Sequence, residues 1–317
     1  MPIKLHSRTM PRVPVLIACW PGMGHVGIGA ASYLRHKLGG TLLAEIDVTP
    51  YLLPDAITVE NGIGRIPDPP RQHIYYVKEP SLLVFEGDAQ VAGEGGIRSA
   101  TELLDLAKQC GVGTIYTGAA FAIPMSYRHP SKVFGAATDE NLKATFPRLG
   151  VEPLSEGRIS GLNGLLLGLA KSRGISAACF LATMPQYAVE TPNPKASKAI
   201  IRVFEQILNT SVDMTELDER IQEADQLMGE FESRVAAAIE ALRREALAKS
   251  EGPGQSEGEP EERPEPYQLM EHIERLFEEA QKDRSKIQLL KDELDRWGLF
   301  HLYEDRFLDL FAKHKGR

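Results

Sequence analysis

Cysteine is scarce: Cys19, Cys110 and Cys179 are the only three among 317 residues, odd in number, far apart, and each in or beside an apolar stretch. A disulfide framework and a Cys-x-x-Cys redox or zinc motif are thereby excluded, and buried free thiols are expected. The eight histidines include no pair at helical spacing and none joined to paired cysteines, so no metal site is expected. Basic charge is also short. Lys and Arg number 36 against 44 Asp and Glu, a net charge of -8 with no basic run, which argues against a nucleic-acid partner. No apolar run approaches the about 18 residues needed to cross a bilayer, and the first residues lack the apolar core of a signal peptide. A cytoplasmic protein with no membrane partner is expected. Gly-x-Ser-x-Gly, Walker and His-Glu-x-x-His patterns are absent too, which removes the familiar signals of α/β hydrolases, phosphate loops and zinc proteases.

What is present starts with a core: 43% of the residues are hydrophobic, enough for one large domain or two smaller units. The stretch Ala18-Cys19-Trp20-Pro21-Gly22-Met23-Gly24-His25-Val26-Gly27 joins an apolar run at 13–18, read as a buried strand, to a helix at 29–38. Pro21 cannot donate to a ladder, so the strand ends at Trp20 and the chain turns. Gly22-x-Gly24-x-x-Gly27 fits the spacing of a dinucleotide-binding turn, and Asp47 closes the next apolar run at the distance such a site requires. The same glycines also serve a tight turn that lets a helix lie close on a strand. Spacing leaves both readings open.

Along the chain, 1–11 reads as a loose leader and 12–212 as one domain. Strands are expected at 41–47, 56–60, 64–66, 73–78, 81–85, 114–117, 132–137 and 175–183, with Asn61-Gly62 as a hairpin turn. Helices are expected at 95–110, at 139–146 behind an Asp139 cap, at 161–172 and at 195–208. Strand followed by helix, repeated, predicts an α/β layered domain with a mostly parallel sheet and helices on both faces. From Thr215 the pattern changes to a heptad seam, Leu217, Ile221, Ala224, Met228, Phe231, Val235, Ala238 and Leu242, which makes 213–248 a heptad helix. Residues 249–266 are dominated by Glu, Gly and Pro without apolar residues, an acidic flexible linker. A second seam, Leu269 to Trp297 with a break at Asp283, lies in a C-terminal helical segment at 267–317, and the two seams can fold back on each other or pair between subunits.

Polar candidates gather where strands end: His25, Asp47, Asp88, Gln90, Glu94 and Arg98. In a parallel sheet those ends line one crevice. There His25 with Asp88 or Glu94 suits acid-base work, and Arg98 with the amides of Gly22, Gly24 and Gly27 suits an anion. The competing assignment makes Asp88 and Glu94 caps of the turn and helix that follow, and His25 the cover of the first helix. No spacing identifies a catalytic residue.

Several motifs recur in order: Trp20-Pro21-Gly22-x-Gly24-x-x-Gly27, Glu86-Gly87-Asp88-x-Gln90, Gly161-x-x-Gly164-Leu165-Leu166, Leu181-Ala182-Thr183-x-Pro185-x-Tyr187, and Pro192-x-Pro194 before Lys195-Ala196-Ser197. Together they resemble the PAC2, or proteasome assembly chaperone, family over residues 13–240. The resemblance implies a fold similar to nucleoside phosphorylases, homo-oligomerisation, and ATP-independent chaperoning of proteasome-type α subunits, with no cofactor and no established catalytic residue. Some members carry a C-terminal hydrophobic-Tyr-any tripeptide that docks into proteasome pockets. Here the last residues are Lys315-Gly316-Arg317, so docking by such a tail is not expected. The expected function is a non-catalytic chaperone or scaffold. The rival expectation is an enzyme binding a nucleoside, nucleotide or phosphate at Gly22–Gly27.

Overall fold

The computed structural model describes residues 3–7, 9–51, 57–250 and 265–312. Most of the acidic linker, 251–264, the stretch 52–56 and the last residues, 313–317, lie outside the described residues. The chain divides into two compact units: 1–121 with 130–184 and 190–221, and 122–129 with 185–189 and 222–317.

The first unit is built on one mixed sheet. In chain order its elements are β1 (Ile3–Leu5), β2 (Val15–Cys19), α1 (Val26–Lys37), β3 (Thr41–Ile46), β4 (Thr58–Glu60), β5 (Ile63–Arg65), β6 (Gln72–Val77), β7 (Leu82–Gly87) and α2 (Gly93–Gln109). There follow β8 (Thr114–Ile123), β9 (Val133–Ala137), α3 (Glu140–Lys143), β10 (Glu152–Pro153), α4 (Gly161–Ser172), β11 (Ser176–Pro185), α5 (Pro194–Leu208) and the start of α6 (Thr215–Ser250). The strand order is β1-β3-β6-β7-β2-β8-β11-β9-β10, with β4 and β5 forming a separate hairpin. At the centre β2 pairs in parallel with β7 and β8. The alternation of strand and helix is thus matched by a parallel α/β centre.

The flanks differ, for a reason visible in the connections. Between β3 and β7 the described residues hold a short 3-10 turn at Thr49–Tyr51 and the β4–β5 hairpin but no α-helix, and β6 returns as an antiparallel neighbour of both. Only residues 78–81 join β6 to β7, too few for the crossover that a parallel pair needs. The expected loose leader also differs: Ile3, Lys4 and Leu5 pair antiparallel with Ile46, Glu45 and Ala44. Glu45 holds them by accepting from Lys4 Nζ at 3.3 Å and lying 3.0 Å from His6 Nε2.

Alternation along β2 separates two cores. Leu16, Ala18 and Trp20 pack with Ala100, Leu103 and Leu104 of α2 and with Leu162 and Leu166 of α4. On the opposite face Phe180 of β11 stacks on Tyr116 at 5.7 Å and meets Phe146 and Phe204 of α5 edge-on. Each such side chain, fully buried, contributes about 1.5–3 kcal/mol. Helix α5 starts where Asn193 accepts from the Ala196 N–H at 2.9 Å and Pro194 sets the first turn, and it stops at Asn209, φ +48°.

The second unit is helical: the rest of α6, then α7 (Pro266–Lys282), α8 (Ile287–Arg296) and α9 (Phe300–Ala312). Val235 from the first seam is buried in one core with Leu269, Ile273, Phe277, Leu290, Leu294 and Tyr303, so the seams meet within one chain. The second seam is not one helix. Asp283 leaves the helical region, φ -137° and ψ 108°, and accepts from the Ser285 N–H at 3.0 Å and hydroxyl at 2.8 Å, capping the next turn. Gly298, φ +60°, then turns the chain into α9. The two short pieces of this unit are tied to α6 by buried Glu232, which accepts from Tyr187 Oη at 2.6 Å, Ser126 Oγ at 2.8 Å and the Tyr127 N–H at 3.1 Å. Among the described residues no helix is long and apolar enough to cross a membrane.

Candidate functional site

The recurring motifs meet at the end of β2. Trp20 is fully buried and leaves the ladder just before Pro21, so its backbone groups need other partners. Asn163 of α4 supplies both: its Oδ1 accepts from the Trp20 N–H at 2.8 Å and its Nδ2 donates to the Trp20 carbonyl at 3.0 Å. The Trp20 indole N–H donates to Gln72 Oε1 at 3.0 Å, and Gln72 Nε2 donates to the Ala89 carbonyl at 2.9 Å. Thr117 Oγ1 donates to the Asn163 carbonyl at 3.0 Å.

Gln90 fastens the next residue. Its Nε2 donates to the Pro21 carbonyl, and its Oε1 accepts from the Leu162 N–H at 2.8 Å, one of the unpaired donors at the start of α4. Beyond Pro21 the glycines have unequal roles. Gly22 is extended, and a Cβ there would meet nothing within 4 Å. Gly24, φ +58°, is pressed by Met184, whose Sδ lies 2.7 Å from the place of a Cβ, and its carbonyl accepts from the Asn193 N–H at 2.8 Å. At Gly27 a Cβ would stand 1.9 Å from the Gly118 carbonyl oxygen, so α1 lies directly on the backbone of β8. Close helix-on-strand packing is what this position requires.

The titratable candidates stand apart from this web. His25 is exposed, in the left-handed region at φ +48°. Asp88 is exposed and accepts from Arg71 Nε at 2.6 Å, while Glu94 and Arg98 pair with each other along α2 at 2.7 Å. Asp47 directly follows β3, which β6 and β7 separate from β2 in the sheet, and accepts from the Thr49 N–H at 2.9 Å. The hydrogen bonds from Thr49 hold its carboxyl below the usual range. Burial raises the Cys19 thiol far above its ordinary value and pushes Cys179 up to about 12, so neither is a thiolate at neutral pH. Cys110 is a buried free thiol as well. Among the described residues no group of three or more His, Cys, Asp or Glu is placed to hold a metal ion.

The polar side chains that converge on the loop and its supports are therefore Gln72, Gln90, Thr117 and Asn163, three amides and a hydroxyl, while Asn193 reaches Gly24 through its backbone N–H. None of them titrates near neutral pH, so none supplies general acid-base catalysis. The sequence reading overlooked Gln72 and the latch made by Asn163. The available signal was Asn163, a lone amide in the apolar stretch 162–170, where burial without a partner is costly; Gln72, between Arg71 and His73, carried no such signal.

The PAC2 family model matches residues 16–232. The solved structure of Pyrococcus furiosus PbaB, described as an archaeal proteasome activator, is 28% identical with a TM-score of 0.63, covering 73% of this chain and 98% of that one. Pyrococcus furiosus PbaA, described as an archaeal homolog of proteasome-assembly chaperone, shares the fold at 21% identity and a TM-score of 0.58, covering 78% of this chain and 99% of that one. An uncharacterized protein of Methanocaldococcus jannaschii is 28% identical over 237 residues, 72% of this chain and 87% of that protein. The ordered motifs, their convergence at Trp20 and a match spanning most of the chain lead to one assignment: the chain belongs to the PAC2 family.

Proposed function

We propose that this chain is an assembly chaperone or scaffold for proteasome-type α subunits, acting as a homo-oligomer in the cytoplasm through protein–protein contacts, without catalysis and without ATP. The observation that carries the reading is the chemistry of the convergent motif residues. They are uncharged amides and a hydroxyl that satisfy one another and the loop backbone, which is the work of a latch. A relative described as a proteasome activator, alike over 98% of its length, supports the same class of partner. Residues Gly22, Gly24 and Gly27 then shape a turn, and His25, Asp88, Glu94 and Arg98 belong to its polar surface.

The test is capture of the full-length protein from its own cell lysate, with identification of co-purifying proteins and small molecules. Proteasome-type α subunits in stoichiometric amounts are expected. A tightly held nucleotide or metabolite without α subunits contradicts the reading. So does a rise in melting temperature with any of a panel of nucleotides, nucleosides and phosphate, because a ligand that binds only the folded state stabilises it.

A further inference from the structure

Residues 57–69 form an unbroken exposed run in the first unit, and their ordered part is the β4–β5 hairpin. Its turn is Asn61-Gly62, φ +51° and +78°, the left-handed pair that a two-residue hairpin loop uses. The register, Thr58 opposite Arg65, Val59 opposite Gly64 and Glu60 opposite Ile63, sorts the side chains onto two faces. One face carries Thr58, Glu60, Ile63 and Arg65. On the other, alternation places Ile57, Val59 and Ile66 with Gly64 between them.

That second face is aliphatic, uncharged and open: Ile57 is 61%, Val59 64% and Ile66 71% exposed. Ile57 leans over Gly64, its Cδ1 2.8 Å from where a Cβ would sit, which leaves a continuous plate. A two-stranded hairpin is marginal in water; independent stability takes three or more strands sharing an apolar face, or a packed neighbour. Among the described residues the hairpin pairs with no other strand.

Resting on the homo-oligomer reading above, we infer that this plate packs against the same plate of a second copy of this chain. The two hairpins then make four strands around six aliphatic side chains, supplying the missing neighbour by an isologous contact. Charge favours this occupant. The chain carries a net charge of -8, so two copies repel each other overall and a contact between them is favoured at a patch that is itself neutral. Residues 57–66 hold one acid, Glu60, and one base, Arg65, both on the outer face, so two copies meet here without burying or opposing charge. Ten residues a side fall short of the about 20–30 of a standard interface, so the plate is one part of the contact between subunits.

The experiment compares the purified full-length protein with the combined variant Ile57→Ser, Val59→Ser, Ile66→Ser by light scattering across a concentration series. Amide exchange over 57–66 is followed in the unaltered protein. The account expects an oligomer with protected hairpin amides, an association weakened about tenfold or more in the variant, and no change when Thr58→Ser and Ile63→Ser alter the opposite face. An unaltered oligomer in the triple variant overturns this surface and leaves the homo-oligomer reading standing. A monomer at every concentration overturns both. Hairpin amides that gain protection only when α subunits are added assign the plate to the client and overturn the inference.

Discussion

Asn163 does for Trp20 what a neighbouring strand does for other residues of β2, and its replacement isolates that role. Asn163→Leu leaves two buried backbone groups without partners, at about 1–3 kcal/mol each. The chain should lose about 2–4 kcal/mol of stability, read as a lower denaturant midpoint at unchanged slope. The glycines allow a sharper comparison. Gly27→Ala drives a methyl group into the Gly118 carbonyl and should cost about 3 kcal/mol or more, whereas Gly22→Ala, facing open space, should stay within about 0.5 kcal/mol. Equal effects at both positions, measured by thermal melts, would contradict a turn shaped by packing at Gly27. At this scale the spacing of the motifs located the loop, since three glycines between strand and helix have few uses. It did not reveal which polar residues would meet there. His25, Asp88, Glu94 and Arg98 looked equivalent to Gln90 by position, and only its hydrogen bonds to the Pro21 carbonyl and the Leu162 N–H separate an amide that latches two backbones from charged groups that face water.

Single elements respond to pH and to packing in separable ways. Asp139 caps α3, accepting from the Leu142 N–H at 2.9 Å. That bond, and then the Ser176 hydroxyl, hold its carboxyl below the usual range. A folded-state value lower than the unfolded one gives stability that is complete at neutral pH and is lost as pH falls through the folded value, below about 4. Asp139→Asn keeps an acceptor but does not titrate, so acid melts of this variant should show a smaller decline than those of the unaltered chain. In the helical unit, Leu290 is fully buried in the core shared by α6, α7, α8 and α9, and Leu290→Ala should cost about 2–5 kcal/mol. Calorimetry would show it as an earlier transition of that unit; an unchanged profile would deny Leu290 its place in the core. Strands and helices were largely legible as elements, down to the Asn61-Gly62 hairpin, because period and turn chemistry are local. The antiparallel pairing of β6 with β3 and the pairing of Ile3–Leu5 with β3 were not, because both join residues far apart in sequence. The division of the second seam followed from one residue, Asp283, whose capping bond outweighs the continuity of the apolar pattern.

For the whole molecule, the α/β unit brings geometry rather than titrating chemistry to its motif-bearing edge: a turn held by amides, flanked by ion-paired surface charge. On the proposed reading such an edge suits contact with other proteins, and the open hairpin plate offers a second surface on the same unit. The central claim is that assembly is helped without chemistry. Its most direct test is the rate and yield with which purified proteasome-type α subunits assemble, with and without the full-length chain, in nucleotide-free buffer. The account predicts faster or more complete assembly in the presence of the chain and no further gain on adding ATP. Assembly indifferent to the chain, or helped only when a nucleotide is supplied, would contradict it.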